Sequence, residues 1–215
     1  MSRARDGPAA FLKNYSGFLQ ADAYSGYDGI FLGSNGRIIE VACWAHARRK
    51  FYDARTNAPR EANVVLEWIR QLYDLEDRAR DVSAAERQVL RQLEAVPILD
   101  RIENYLAEIA PRVLPKSALG QALTYARNQW KALRQYVTDG RLTIDNNVSE
   151  RTVRPQAIGR KNWEFLGSEQ AGPRAAVLFT VLAGAKRHHL EPWAYLRDVL
   201  LRLSAGEEDL ADLLP

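Results

Sequence analysis

A single cysteine, Cys43, stands among 215 residues, so no intramolecular disulfide can form. No apolar run approaches the ~18 residues of a membrane span, and the opening Met-Ser-Arg-Ala-Arg-Asp-Gly-Pro lacks the apolar stretch of a secretory signal. The expectation is a cytoplasmic chain with no membrane partner. Neither a P-loop nor a G-x-G-x-x-G is present. Cys43 and His46 have C-x2-H spacing, but no second Cys/His pair follows, so a structural zinc site is not expected. A Cys-His protease is equally disfavoured, because its flanking signals are missing. His188 and His189 read as the cationic end of a helix. No internal repeat or low-complexity tract appears.

What is present is a 47% hydrophobic chain, long enough for one large or two small domains with a real core. Its net charge is only +3. The distribution says more. Residues 141–190 hold eight Lys/Arg against four acids, while the remainder holds 22 against 23. A surplus gathered in one segment points to a polyanion partner.

The order of elements begins as strand, helix, strand, helix. A short helix over 8–14 precedes a strand at 17–22, with Asp22 at its C-terminal end. Tyr24 to Tyr27 turn into a brief helix, Asn35-Gly36 mark a turn, and 37–44 read as a second strand. A helix follows from Ala45 to about Arg55, with Trp44, Ala47, Phe51 and Ala54 at core spacing. That order suggests parallel pairing in an α/β layer. From 59 to 138 there is no convincing strand. Helices are expected over 61–80, 83–94, 98–110 and 117–137, broken near Pro97, Pro111 and Pro115. Asp139-Gly140 is a turn, and 141–144 an extended link. A helix should start at Asn147 and end or kink near Pro155. The helix from Arg174 to about His188 is apolar on most sides and should be buried. A last helix opens at Glu191-Pro192.

The chain is organised around Thr143-Ile-Asp-Asn-Asn-Val-Ser-Glu150-Arg151 and its continuation to Arg154, Arg160 and Lys161. Asn147 with Glu150 three residues on fits a capping box, the plain reading. The sharper reading is a carboxylate at a helix start, ringed by cations. Asp22 at a strand end and Glu150 at a helix start suit a divalent-metal phosphoryl-transfer site, since carboxylate oxygens are natural Mg²⁺ ligands. Like charges ~4 Å apart repel by about 4 kcal/mol at an effective dielectric near 20, so such acids call for a cation between them. The basic residues after Glu150 would hold a DNA backbone through its phosphates.

Several stretches together resemble the transposase of the insertion-sequence-66 family, a bacterial DDE transposase with an RNase H-like fold. They are Leu19-Gln-Ala-Asp-Ala-Tyr-Ser-Gly-Tyr27, Cys43-Trp-Ala-His-Ala-Arg-Arg-Lys-Phe51, Pro115-Lys-Ser-Ala-Leu-Gly120, Asp145-Asn-Asn-Val-Ser-Glu-Arg151, Arg154-Pro155 and Gly159-Arg-Lys-Asn-Trp163. Gly167-Ser168 and Trp193-Ala-Tyr-Leu-Arg-Asp-Val-Leu200 also fit.

The resemblance implies that Asp22 and Glu150 are the second and third catalytic acids and the ligands of Mg²⁺ or Mn²⁺. Asn146, Asn147 and His46 would stand around them, and Arg48, Arg49, Arg151, Arg154, Arg160 and Lys161 would contact DNA. It implies a mainly α chain with a small parallel β component: a truncated RNase H-like core interrupted by a helical insertion. The parts would be a first core segment (1–57), the insertion (58–139), a second core segment (140–190) and a C-terminal helix and tail (191–215). The family's first catalytic aspartate, its DNA-binding N-terminal region and its metal-binding segment have no counterpart in these residues. Asp6, in a Gly-Pro loop, is no substitute. The strand bearing Asp22 is therefore expected to be an open edge. Partners would be element-end and target DNA, with a homo-oligomer or a full-length transposase as a further associate.

Overall fold

The computed structural model describes residues 6–163, 167–168 and 170–214, apart from the side chains of residues 6, 160 and 163. The chain falls into two compact units, Met1–Asn147 and Val148–Pro215. It is mainly helical, with one two-stranded parallel sheet.

In the first unit, α1 (Asp6–Phe11) leads to β1 (Gly17–Ala21), α2 (Asp28–Gly33), β2 (Ile38–Ala42) and α3 (Trp44–Ala54). The expected helix over 8–14 is thus shorter and starts earlier. Asn35 and Gly36 both take positive φ (51° and 79°) in the turn before β2, a conformation that Asn and Gly tolerate best. β1 and β2 pair in register from Gly17 with Ile38 to Ala21 with Ala42. Among the described residues, β1 pairs with no strand but β2.

The helical block contains α4 (Pro59–Arg78), α5 (Ala84–Leu90), α6 (Val96–Ile109), α7 (Ala118–Asn128) and α8 (Trp130–Arg134). Proline at the start of α4 removes a donor the first turn cannot use. Ser83 and Glu86 form a reciprocal capping box at α5. Pro97 does not break the helix as expected. A π-helical turn, Arg91–Ala95, joins α5 to α6, with the Val96 amide donating to the Arg91 carbonyl, and this wider turn accommodates the proline. The expected 117–137 helix is in fact two, parted at Gln129 and followed by a 3-10 turn, Gln135–Thr138.

One continuous core lies under these elements. Trp44, Phe51, Ile69, Leu72, Leu99, Ile102, Leu106 and Leu133 are buried in it. The Trp44 indole donates to the Leu133 carbonyl (3.0 Å) and meets Trp130 edge-on, with centroids 6.0 Å apart. Gly140 is required by close approach, since a Cβ there would lie 1.7 Å from the Ala84 carbonyl oxygen.

The second unit holds α9 (Asn147–Trp163, opening on the last residue of the first unit), α10 (Ala171–Arg187) and α11 (Pro192–Ser204). Three expectations are corrected here. The capping box on Asn147 does not form as expected, because Asn147 is already helical and Asp145 accepts its amide (3.1 Å). α9 continues through Pro155, leaving the Arg151 carbonyl without that donor. α10 buries only Gly172 and Ala185, while Val177 and Leu178 are exposed. An all-round apolar pattern implies burial only where enough chain packs around it; among the described residues α10 packs chiefly on α11. No described helix is long and apolar enough to cross a membrane.

Candidate functional site

Asp22 follows the last residue of β1 and is exposed. Its Oδ1 accepts the Tyr24 amide (3.3 Å), and Ala23 between them takes a left-handed φ of 58°. An alanine in that region is unusual and holds the chain in a sharp turn away from the strand. At the parallel end of β2, Cys43 is fully buried, and burial pushes its thiol up, so it is no nucleophile at neutral pH. His46 is half-buried on α3, and Arg48 and Arg49 are exposed there. Tyr125, on α7, has a buried hydroxyl with no hydrogen-bond partner among the described residues. Burial pushes that hydroxyl up to about 12, with Cys43, Asp22 and Glu40 adding smaller pushes in that order.

The link to α9 is pinned to this end of the sheet. Gln20, on β1, donates to the Thr143 carbonyl (2.8 Å) and accepts from the Thr143 hydroxyl (2.7 Å). The Trp44 amide donates to the Ile144 carbonyl (3.1 Å). The Asp145 carboxylate accepts from the Tyr73 hydroxyl (2.9 Å) and from the Asn147 side chain (2.7 Å) as well as its amide. Burial, then the Asp145 charge, pushes the Tyr73 hydroxyl far up, so it stays a donor. Asn146 Oδ1 is buried without a partner among the described residues. Asn146 and Asn147 therefore belong to the first unit, on a segment fastened beside the strand that ends at Asp22.

Glu150 lies in the first turn of α9, exposed, three residues beyond that segment. Helical spacing puts Arg154 and Lys161 on its face, with Arg151 one step round. All three are exposed. The side chain of Arg160 lies outside the described residues. Within the second unit, Arg151, Lys186 and Arg187 rim an apolar groove of about 430 Å³ floored by Phe179 and Leu182.

The sequence reading gives no site role to Asp145, Tyr73, Gln20 or Tyr125. Asp145-Asn-Asn did carry a local signal, since an Asp two residues before a helix start can receive that residue's amide. Tyr73 and Tyr125 sit at helical core spacing, and nothing local separates them from filler. Among the described residues no three His, Cys, Asp or Glu side chains converge as a metal ion requires. The Mg²⁺ or Mn²⁺ expectation rests on two acids, Asp22 in the first unit and Glu150 in the second.

Residues 1–174 match the family described as "Transposase IS66 family". Three curated proteins of Sinorhizobium fredii (strain NBRC 101917 / NGR234) are also similar. "Uncharacterized protein y4qI" is 37% identical over 95% of this chain and 39% of its own length. "Uncharacterized protein y4jD" is 35% identical over 95% and 42%, and "Uncharacterized protein y4hP" 32% identical over 94% and 39%. The chain thus spans about two-fifths of the length of these relatives. No solved structure matches. With four-fifths of its length matched in one continuous run, the chain belongs to the IS66 transposase family.

Proposed function

We propose that this chain is a DNA-handling part of a DDE-type transposase with an RNase H-like core, carrying two of the three acids, Asp22 and Glu150, of a phosphoryl-transfer site. The observation that supports this reading most directly is the double Gln20–Thr143 hydrogen bond, between residues 123 apart. It fastens the approach to the Glu150 helix beside the strand that ends at Asp22, although a helical block of some 80 residues separates them in the chain. Arg151, Arg154 and Lys161 give α9 the cations that neutralise phosphates without reading sequence. With two acids of three, the chain alone holds DNA and does not cut or join it.

The test is the purified chain with element-end DNA and Mg²⁺. Expected are binding that weakens steeply with salt, loss of affinity in Arg151→Ala and Arg154→Ala, and no cleavage or strand transfer. Cleavage that disappears in Glu150→Gln would overturn the incomplete-site reading; absence of DNA binding would overturn the DNA-handling one. A second reading, a non-catalytic regulator that associates with a longer transposase, draws on β1, which among the described residues pairs with no strand but β2 and so offers an edge to another chain. It predicts that added chain inhibits strand transfer by such a transposase.

A further inference from the structure

Between α3 and α4 the first unit opens into a groove of about 760 Å³. α3 and its C-capping residue line it with Arg48, Tyr52 and Arg55, spaced four and three residues apart and therefore on one stripe. α4 contributes Arg70 and Tyr73, and Asn147 also borders the space.

The three arginines are not equivalent. Arg70 is bonded to Glu67 (2.6 Å), itself a lining residue, and to Asp74, so its charge is answered. Among the described residues no carboxylate pairs with Arg48 or Arg55. The Arg55 guanidinium instead lies over the Tyr52 ring, 3.7 Å from its centroid, and Tyr52 as a residue is 49% exposed.

The plain reading is a surface Arg–Tyr pair in which the cation shields a ring. The pair does not face open solvent alone, however. It lines a concave space that also holds a second unpaired arginine. A half-exposed tyrosine beside two unneutralised guanidiniums is the pattern that takes nucleobases and phosphates together. From Arg48 to Arg55 is about 10.5 Å at ~1.5 Å per helical residue, so the two guanidiniums can meet different phosphates of one strand. A concavity of this size suits a ligand on the scale of a small molecule rather than a duplex.

We propose that this groove binds an unpaired stretch of a DNA strand, with phosphates on Arg48 and Arg55 and a base against Tyr52. The proposal rests on the DNA-handling reading above and deepens it. It brings a single strand to Asn147, three residues before Glu150 in the chain.

The experiment uses the whole chain and two fluorescently labelled probes, a short oligothymidylate and a duplex of the same length, read by anisotropy across a salt series. Tyr52→Ala should weaken single-strand binding about tenfold and leave duplex binding unchanged, while Tyr52→Phe should keep both. Arg48→Ala and Arg55→Ala should each flatten the slope of log affinity against log salt by about 0.7 for the single strand. With the unaltered chain, an iododeoxyuridine oligonucleotide should photo-crosslink to peptides of α3 or α4. Equal loss on both probes in Tyr52→Ala, no loss on either, or crosslinks confined to residues 148–187 would overturn the groove while DNA handling stands. Absence of binding to any DNA would overturn both.

Discussion

Tyr125 and Asp145 show how individual residues near Asp22 divide the work. Asp145 is the acid nearest Glu150 in sequence, yet its oxygens already accept from Tyr73 and twice from Asn147. It holds the link in place. Tyr125 keeps its proton well past the ordinary tyrosine range, up to about 12, because burial penalises the phenolate. The sign of the pH effect follows from that rise. Stability contributed by the neutral Tyr125 is fully present below pH ~10, where the unfolded chain's tyrosine ionises, and is lost as pH climbs toward about 12. Tyr73 and Tyr136 shift the same way, both chiefly by burial. Urea midpoints should therefore fall above pH 10, and fall less in Tyr125→Phe than in the unaltered chain. An identical fall in both would mean that Tyr125 ionises as freely folded as unfolded.

At the scale of elements, the π turn between α5 and α6 has a clear consequence. It places Arg91, 1% exposed, where every guanidinium N–H finds an acceptor. Glu76 takes two at 2.8 and 2.6 Å, and the carbonyls of Tyr136, Asp139 and Leu142 take three at 2.9, 3.0 and 2.9 Å. One side chain thus ties α4 and the helical block to the loop that leads toward Asp145. Arg91→Ala strands Glu76 and three carbonyls, so a loss of about 3–5 kcal/mol is expected in urea unfolding. Arg78→Ala breaks the exposed pair with Glu94, which solvent screens, and should barely move the urea midpoint. Comparable losses in the two variants would show that burial does not set the difference. Nothing in the pattern around Arg91 marks it, because a helix reading places polar residues on the outside by default. Pro97, read as a break, sits instead in the first turn of α6, directly after that wide turn.

At the scale of the whole molecule, the two units differ in how much apolar surface they cover. The first buries a continuous core; in the second, Ala185 and Leu213 are the buried apolar side chains among the described residues, while Trp193, Leu200 and Leu201 are exposed. Few buried contacts mean a low free energy of local opening. Limited trypsin digestion should therefore cut first at Arg151, Lys161 or Arg174, leaving a resistant fragment that ends near the close of the first unit. Early cuts within α3 to α8, followed by mass spectrometry, would contradict that order of stability.

Much of the secondary structure was readable in the chain itself, because apolar period and turn chemistry are local. Trp44, Ala47, Phe51 and Ala54 repeat at helical spacing and are buried; Asn35-Gly36 turns where it must; the parallel pair follows from strand–helix–strand order. The motifs around Asp22, Asp145 and Glu150 carried the family for the same reason, since a short run of residues is enough to identify it. Contacts between distant residues were decided only by the tertiary structure. Gln20 meeting Thr143, Tyr73 meeting Asp145 and Arg91 meeting Glu76 depend on which helix faces bury together, and helical period says which face is apolar but not what it meets. The exposure of α10 has the same origin: hydrophobic composition sets how strongly a helix favours burial, and only the packed chain sets how much surface is there to cover it.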